Sequence, residues 1–276
     1  MKDFVHLHTH SHYSLLRALP KIKELVKTAK QRGFSAVSLT DYGAMYGAIE
    51  FYQVCKKEEI KPIIGFVAYL APRGMKDVDP KVDTNVSELV LLAKNYDGYR
   101  NLMKLTSIGH LEGFLDGKPR IDIETLRAHS KDVIGLCGGI NGRIGQQIIS
   151  EQEEEAKKTA ELLKSIFAPG DFYLELQDHP AMEGQMRVNN KLIEFSKELD
   201  IPVVATRDVH YLNPSEADAQ DILRCIGEGW KMHYSDREDF RHVDRSFNTG
   251  EEMAKRFQHI PEALENTKKI ADNLKK

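Results

Sequence analysis

The feature that most constrains this chain is an alternation. Short apolar runs recur along its 276 residues, and helical sequence separates them. The first run is the extended stretch 4–12 (FVHLHTHSH). A helix over 20–32 follows, with Ile22, Leu25, Val26 and Ala29 at helical spacing and Gly33 where a C-cap belongs. Further strands are expected at 35–40, 61–70, 88–93, 133–137, 172–176 and 202–206. Helices are expected at 46–57, 99–108, between 142 and 167, at 186–199 and at 214–226, with a polar surface loop over 72–85. Seven strands followed by helical sequence specify an α/β fold, and the short spacing favours a seven-stranded β/α (TIM-like) barrel over an open doubly wound sheet. Beyond Gly227 the sequence turns polar and ends in a helix over 261–274, so the expected division is a barrel at 1–226 and an extension at 227–276.

The first run also carries chemistry. Side chains of an extended chain alternate faces, so His6, His8, His10 and His12 are expected to share one face, with Val5, Leu7 and Thr9 on the other. Neutral imidazole is a common metal ligand, and two at i and i+2 can chelate one ion. A β/α barrel presents its reactive groups at the C-terminal ends of its strands. Those ends carry His8 and His10, Asp41, Cys137, Asp178 with His179, and Asp208 with His210. Asp208 and His210 repeat the i, i+2 spacing, and the first and last strands become neighbours when a barrel closes. The rim therefore reads as metal-binding by ancestry. Asp41 equally suits a turn or helix cap, and His110 a helix end. Cys137 is by default a small buried apolar side chain, and Asp178-His179 a turn before Pro180. His129, His233, His242 and His259 lie in polar surroundings and receive no role.

Net charge is 39 − 42 = −3, unlike the basic excess of an autonomous nucleic-acid binder. Three cysteines, Cys55, Cys137 and Cys225, form no CxxC pair, which argues against a disulfide scaffold or zinc finger. No apolar run is long enough to span a membrane, and Lys2, Asp3 and the histidines interrupt any signal sequence. The expectation is a cytoplasmic protein.

Six segments carry a resemblance: HLHTHSHYSLL (6–16), LTDYGAMYGAIEFY (39–52), IKPIIGFVAYL (60–70), SIGHLEGF (107–114), FYLELQDH (172–179) and TRDVHY (206–211). They resemble the successive motifs of the PHP (polymerase and histidinol phosphatase) domain. The ending EEMAKRFQHIPEALENTKKIA (251–271) is similar to the segment joining that domain to the palm in bacterial DNA polymerase III alpha subunits of the DnaE type. The resemblance implies a distorted seven-stranded barrel, up to three zinc or manganese ions, and phosphoester cleavage linked in some polymerases to 3′–5′ proofreading. By motif, it implies ligands at His8, His10, His110, Cys137, Asp208 and His210. Three positions depart: Arg17 stands where the family has Asp, Tyr42 where it has His, and Val67 where it has a bridging Glu.

Those departures carry physical consequences. Valine cannot offset the repulsion between two ions, Arg17 brings a permanent positive charge, and a protonated Tyr42 ligates poorly. The resulting expectation is at most one Zn or Mn ion at His8, His10 and Asp208, or none. Asp41 and Asp208 remain as remnant catalytic candidates, and little phosphoesterase activity is expected. The module would support the remainder of the polymerase alpha subunit and dock its proofreading exonuclease subunit, meeting DNA only through the full polymerase. The rival expectations are a working metal-dependent 3′–5′ exonuclease in cis and a free-standing histidinol-phosphatase-like enzyme.

Overall fold

The computed structural model describes residues 4–234, 237 and 239–274. Residues 1–3, 235, 236, 238, 275 and 276 of the expected division lie outside the described residues. The strands are β1 Ala36–Leu39, β2 Lys61–Leu70, β3 Ser87–Ala93, β4 Phe114–Leu115, β5 Lys118–Ile121, β6 Val133–Gly138, β7 Phe172–Gln177 and β8 Val203–Thr206. The helices that flank them are α1 Ile22–Gln31, α2 Ala48–Glu58, α3 Tyr96–Glu112, α4 Ile123–Ala128, α5 Arg143–Ile149 and α6 Glu153–Ile166. They continue with α7 Gln185–Leu199, α8 Ala217–Glu228, α9 Gly250–Arg256 and α10 Pro261–Asn273.

The long apolar run of β2 organises a mixed eight-stranded sheet, because it is long enough to serve three partners. Its first half pairs in parallel with β1 (Ser38 opposite Ile63), and its last two residues pair in parallel with β5. Its other edge pairs antiparallel with β3, Val67 opposite Val90. β3 is also antiparallel to β6, after which β6, β7 and β8 run parallel. β2 reaches β3 through the loop expected over 72–85, without a helix, and β3 departs from a β/α barrel by running antiparallel to both neighbours. That loop is held by buried Arg120, which donates to the carbonyls of Met75, Asp77, Asp83 and Gly113.

The N-terminal histidine segment is extended but is not a regular strand. Thr9 forms an isolated parallel bridge to Val209, with His10 N–H donating to the Val209 carbonyl (3.0 Å) and Val209 N–H to the His8 carbonyl (3.1 Å). On its other side, Ser38 N–H donates to the His6 carbonyl and Thr40 N–H to the Thr9 carbonyl. The segment thus lies between β1 and the residues after β8.

Two apolar clusters follow from the alternation of side chains. One gathers Val5, Leu7, Ile63, Val67, Val90, Leu92, Leu136 and Val204 on the inner face of the sheet. The other packs the outer face against the helices and includes Ile22, Leu25, Phe51, Leu102, Leu163 and Leu192. Each large aliphatic side chain so buried contributes about 1.5–3 kcal/mol. Helix α10 contributes Ile270, Ala271 and Leu274 to the inner cluster. It is fastened by Thr267, whose Oγ1 accepts from Val5 N–H, and by Asn266, which donates to the Val203 carbonyl.

Candidate metal centre

The chain bends at His8, and that bend decides which imidazoles meet. Before it, Val5 and Leu7 point into the inner cluster, while His6 packs among Phe4, Phe34 and Phe247 and contacts the Asn248 carbonyl through Nε2 (2.8 Å). The expectation that His6 shares a face with His8 and His10 therefore fails, because the alternation resets at the bend. Past β8, Asp208 adopts a left-handed conformation (φ 50°), which aspartate tolerates better than most residues. Its carboxylate meets His8 and His10 there.

His8, His10 and Asp208 are buried and offer ligand atoms that all lie within 4.8 Å of one another. Asp208 Oδ1 is 2.9 Å from His10 Nε2 and 3.4 Å from His8 Nε2. The outer contacts orient both rings. His8 Nδ1 donates to Glu175 Oε1 at 2.7 Å, and Glu175 also accepts from Thr206 Oγ1 at 2.6 Å. Such a carboxylate fixes an imidazole's tautomer and turns the other nitrogen toward the site. His10 Nδ1 lies 3.3 Å from Ser14 Oγ, whose own proton goes to Asp41 (2.6 Å). Asp41 therefore reaches the cluster only through Ser14, and it also accepts from Ser11 N–H and Ser11 Oγ–H.

Charge in this pocket is finely opposed. Burial alone would lower the pKa of His8, but the carboxylates of Glu175 and Asp208 outweigh it and raise it to about 9. For His10 burial wins over Asp208, and its pKa falls to about 4. A neutral His10 has one N–H for two facing oxygens, so its contacts with Asp208 and Ser14 cannot both be hydrogen bonds. Burial works against an ionised Asp208, yet His210, Arg245 and His8 hold its carboxyl well below the usual range. Buried His8 Nε2 has no hydrogen-bond partner of good geometry. Two imidazole nitrogens and one carboxylate oxygen converging in this way could hold a metal ion.

The other expected ligands are placed differently. His210 packs 4.6 Å from the His10 ring and donates from Nδ1 to the Asp208 carbonyl at 2.9 Å. His110 lies outside the group, with Nε2 directed at the Gly43 carbonyl (3.2 Å). Cys137 belongs to the outer apolar cluster, and burial pushes its thiol up to about 12, so it is protonated at neutral pH. Tyr42 stacks on His10 at 4.2 Å and 7°, and burial raises its hydroxyl pKa well above normal. The Arg17 guanidinium sits 4.8 Å above the Tyr42 ring. Val67 is fully buried in the inner cluster.

Three residues absent from the sequence reading, and a fourth read there only as a turn residue, belong to the same pocket. Glu175 orients His8, and its one legible signal is an acid inside the apolar run FYLELQ. Arg245 clamps the second oxygen of Asp208 with its guanidinium. Glu88 of β3 is coupled to Asp208, Arg17, His8 and Arg245; burial and Asp208 push its carboxyl pKa upward. His179, read as a turn residue, is buried with neither ring nitrogen hydrogen-bonded, and burial lowers its pKa to about 3.

Comparison with known proteins gives these residues a context. A model of the PHP domain matches residues 6–179, more than half of the chain. DNA polymerase III subunit alpha of Borreliella burgdorferi is 43% identical over 271 residues, covering 98% of this chain and 23% of that protein. The same subunit of Treponema pallidum is 39% identical over 270 residues, and that of Helicobacter pylori 40% over 283, with the same shares covered. The chain thus spans less than a quarter of the length of these relatives. With the family's motifs matched across most of the sheet and the histidine segment at its head, this chain belongs to the PHP domain family.

Proposed function

We propose that the chain is the N-terminal PHP region of a DNA polymerase III alpha subunit, and that its metal centre is a one-ion remnant. In this reading the module supports the polymerase and docks the proofreading exonuclease subunit, and it does little or no phosphodiester cleavage itself. The observation that supports the reading is the fixed positive charge and hydrocarbon found around the ligand group. Arg245 holds the outer oxygen of Asp208, Arg17 lies over Tyr42, and Val67 presents only methyl groups. Multi-ion hydrolysis needs several cations close together, and two arginines beside the one good ligand set oppose them.

His8, His10 and Asp208 would hold the remaining ion, Zn or Mn. A bound ion would polarise a phosphoryl oxygen and acidify a coordinated water. The residues' own contributions are narrower: Glu175 orients His8, the Asp41–Ser14 pair orients His10, and His210 braces the Asp208 backbone. His110 and Cys137 stay candidates for outer ligands only if the chain rearranges. The hydrogen bonds on both edges of the histidine segment support reading it as the seventh stave that closes the sheet into a barrel. We keep the division at 226/227 as part of this proposal, with α10 covering one end of the inner cluster. No helix among the described residues is long and apolar enough to cross a membrane. A cytoplasmic location follows from the replicative role.

The second reading is a metal-dependent 3′–5′ exonuclease acting in cis. It is favoured by the intact His8–Glu175 pair and by the unpartnered His8 Nε2. Incubating the chain with Mn²⁺ and a 3′-mismatched primer separates the two. The remnant reading predicts turnover no higher than that of Asp208→Asn, whereas clear turnover abolished by that substitution would establish the exonuclease.

A further inference from the structure

Asp208 is the only carboxylate in the converging ligand group among the described residues, and its two oxygens have different company. Oδ1 faces His8 and His10; Oδ2 is taken by the Arg245 guanidinium. That guanidinium arrives on a segment built to deliver it. His210 N–H donates to the Arg245 carbonyl (2.9 Å), and Arg245 N–H donates to Tyr211 Oη (2.9 Å). Phe247 N–H donates to the Tyr211 carbonyl, and the Tyr211–Ser246 bridge continues the pairing. Asp244 is in turn gripped by buried Arg207 at 2.6 Å and accepts from Ser246 N–H at 2.9 Å. Arg207 and Arg256 both hold Asp178 as well, so the loops after β7 and β8 and the segment around 244 form one ionic frame. A cation held in place by its own backbone is thus paired with Asp208.

We propose that Arg245 is a tethered counter-cation that competes with the ion at His8, His10 and Asp208 and closes the second oxygen of Asp208 to any further ion. The proposal rests on the one-ion reading above and names the residue that limits it. The surrounding charges fit the role. Facing Arg245 are Asp208 from the β8 loop, Glu88 from β3 and Tyr42 after β1, with protonated His8 and Arg17 adding positive charge, neutral His10 beside them and Met182 in sulfur contact at 4.0 Å. A guanidinium cannot shed its charge at working pH, so its repulsion of an incoming divalent ion is permanent.

The test is calorimetric titration of the chain and of Arg245→Met, Arg245→Gln and Arg245→Lys with MnCl₂ and ZnCl₂, with Asp208→Asn as control. The neutral variants are expected to bind at least about tenfold more tightly than the parent, and Arg245→Lys to stay near it. If both neutral variants unfold alone but fold in saturating Mn²⁺, the ion is replacing the guanidinium and the proposal is supported. Failure to fold in either condition overturns it, because the arginine is then needed for structure alone. Equal affinity in parent and neutral variants, lost in Asp208→Asn, overturns the role of Arg245 and leaves the one-ion reading standing. Absence of binding in every variant overturns both.

Discussion

At His8 one imidazole is asked to serve two carboxylates. Its Nδ1–H is committed to Glu175, and its Nε2 faces Asp208 at 3.4 Å. Without an ion, the raised pKa puts a proton on Nε2 at neutral pH, so a proton stands where a cation would. The sign of the resulting pH dependence is fixed. The folded pKa of about 9 exceeds the ordinary 6.5, so the folded chain holds the extra proton between those values. Its stabilising contribution is full below 6.5 and is lost as pH rises through 9. Glu175→Gln removes the largest attractive partner, so urea-unfolding free energies of the metal-free chain should fall less steeply between pH 6.5 and 9 in the variant. Metal affinity in the same variant should drop about 10- to 100-fold, as for other lost supporting carboxylates. Identical pH profiles and affinities would show that Glu175 does not orient His8.

Among the elements, those whose cues are local were legible in the sequence. The strand over 61–70 is an unbroken apolar run, and it forms as β2 with those bounds. The helix expected at 20–32 forms as α1, burying Ile22, Leu25, Val26 and Ala29. What could not be read depends on partners far away in the chain. The antiparallel direction of β3 leaves no mark in a run that is apolar on both faces. Hairpin β4–β5 is absent from the expected series although Asp116-Gly117, both at positive φ, is a two-residue turn signal. At the centre, spacing singled out the pairs His8/His10 and Asp208/His210 and the family resemblance narrowed them to His8, His10 and Asp208, but nothing marked Arg245, 37 positions along the chain from Asp208. Arg120 shows the same limit: nothing in KPRI foretells that this side chain satisfies four carbonyls. Arg120→Met should leave those acceptors without a donor and cost about 3 kcal/mol or more. The readouts are a lower urea midpoint and faster amide exchange across residues 72–86; an unchanged midpoint and unchanged exchange would mean that the loop is held some other way.

At the scale of the whole molecule, the centre sits where three parts of the sequence converge. These are the histidine segment, the loop after β8 and the stretch around residue 245. Val67 belongs to the apolar inner cluster, and on the reading proposed above it supplies hydrocarbon where a bridging carboxylate would hold two ions together. Ion count is therefore the quantity that separates a one-ion remnant from a multi-ion centre. It is measured most directly by anomalous diffraction from crystals of this chain grown with excess Zn²⁺ or Mn²⁺. A one-ion centre requires no more than one peak in the pocket, and that peak among His8 Nε2, His10 Nε2 and Asp208 Oδ1. Two or three peaks there, with Arg17, Tyr42 and Arg245 turned away from the imidazoles, would contradict it.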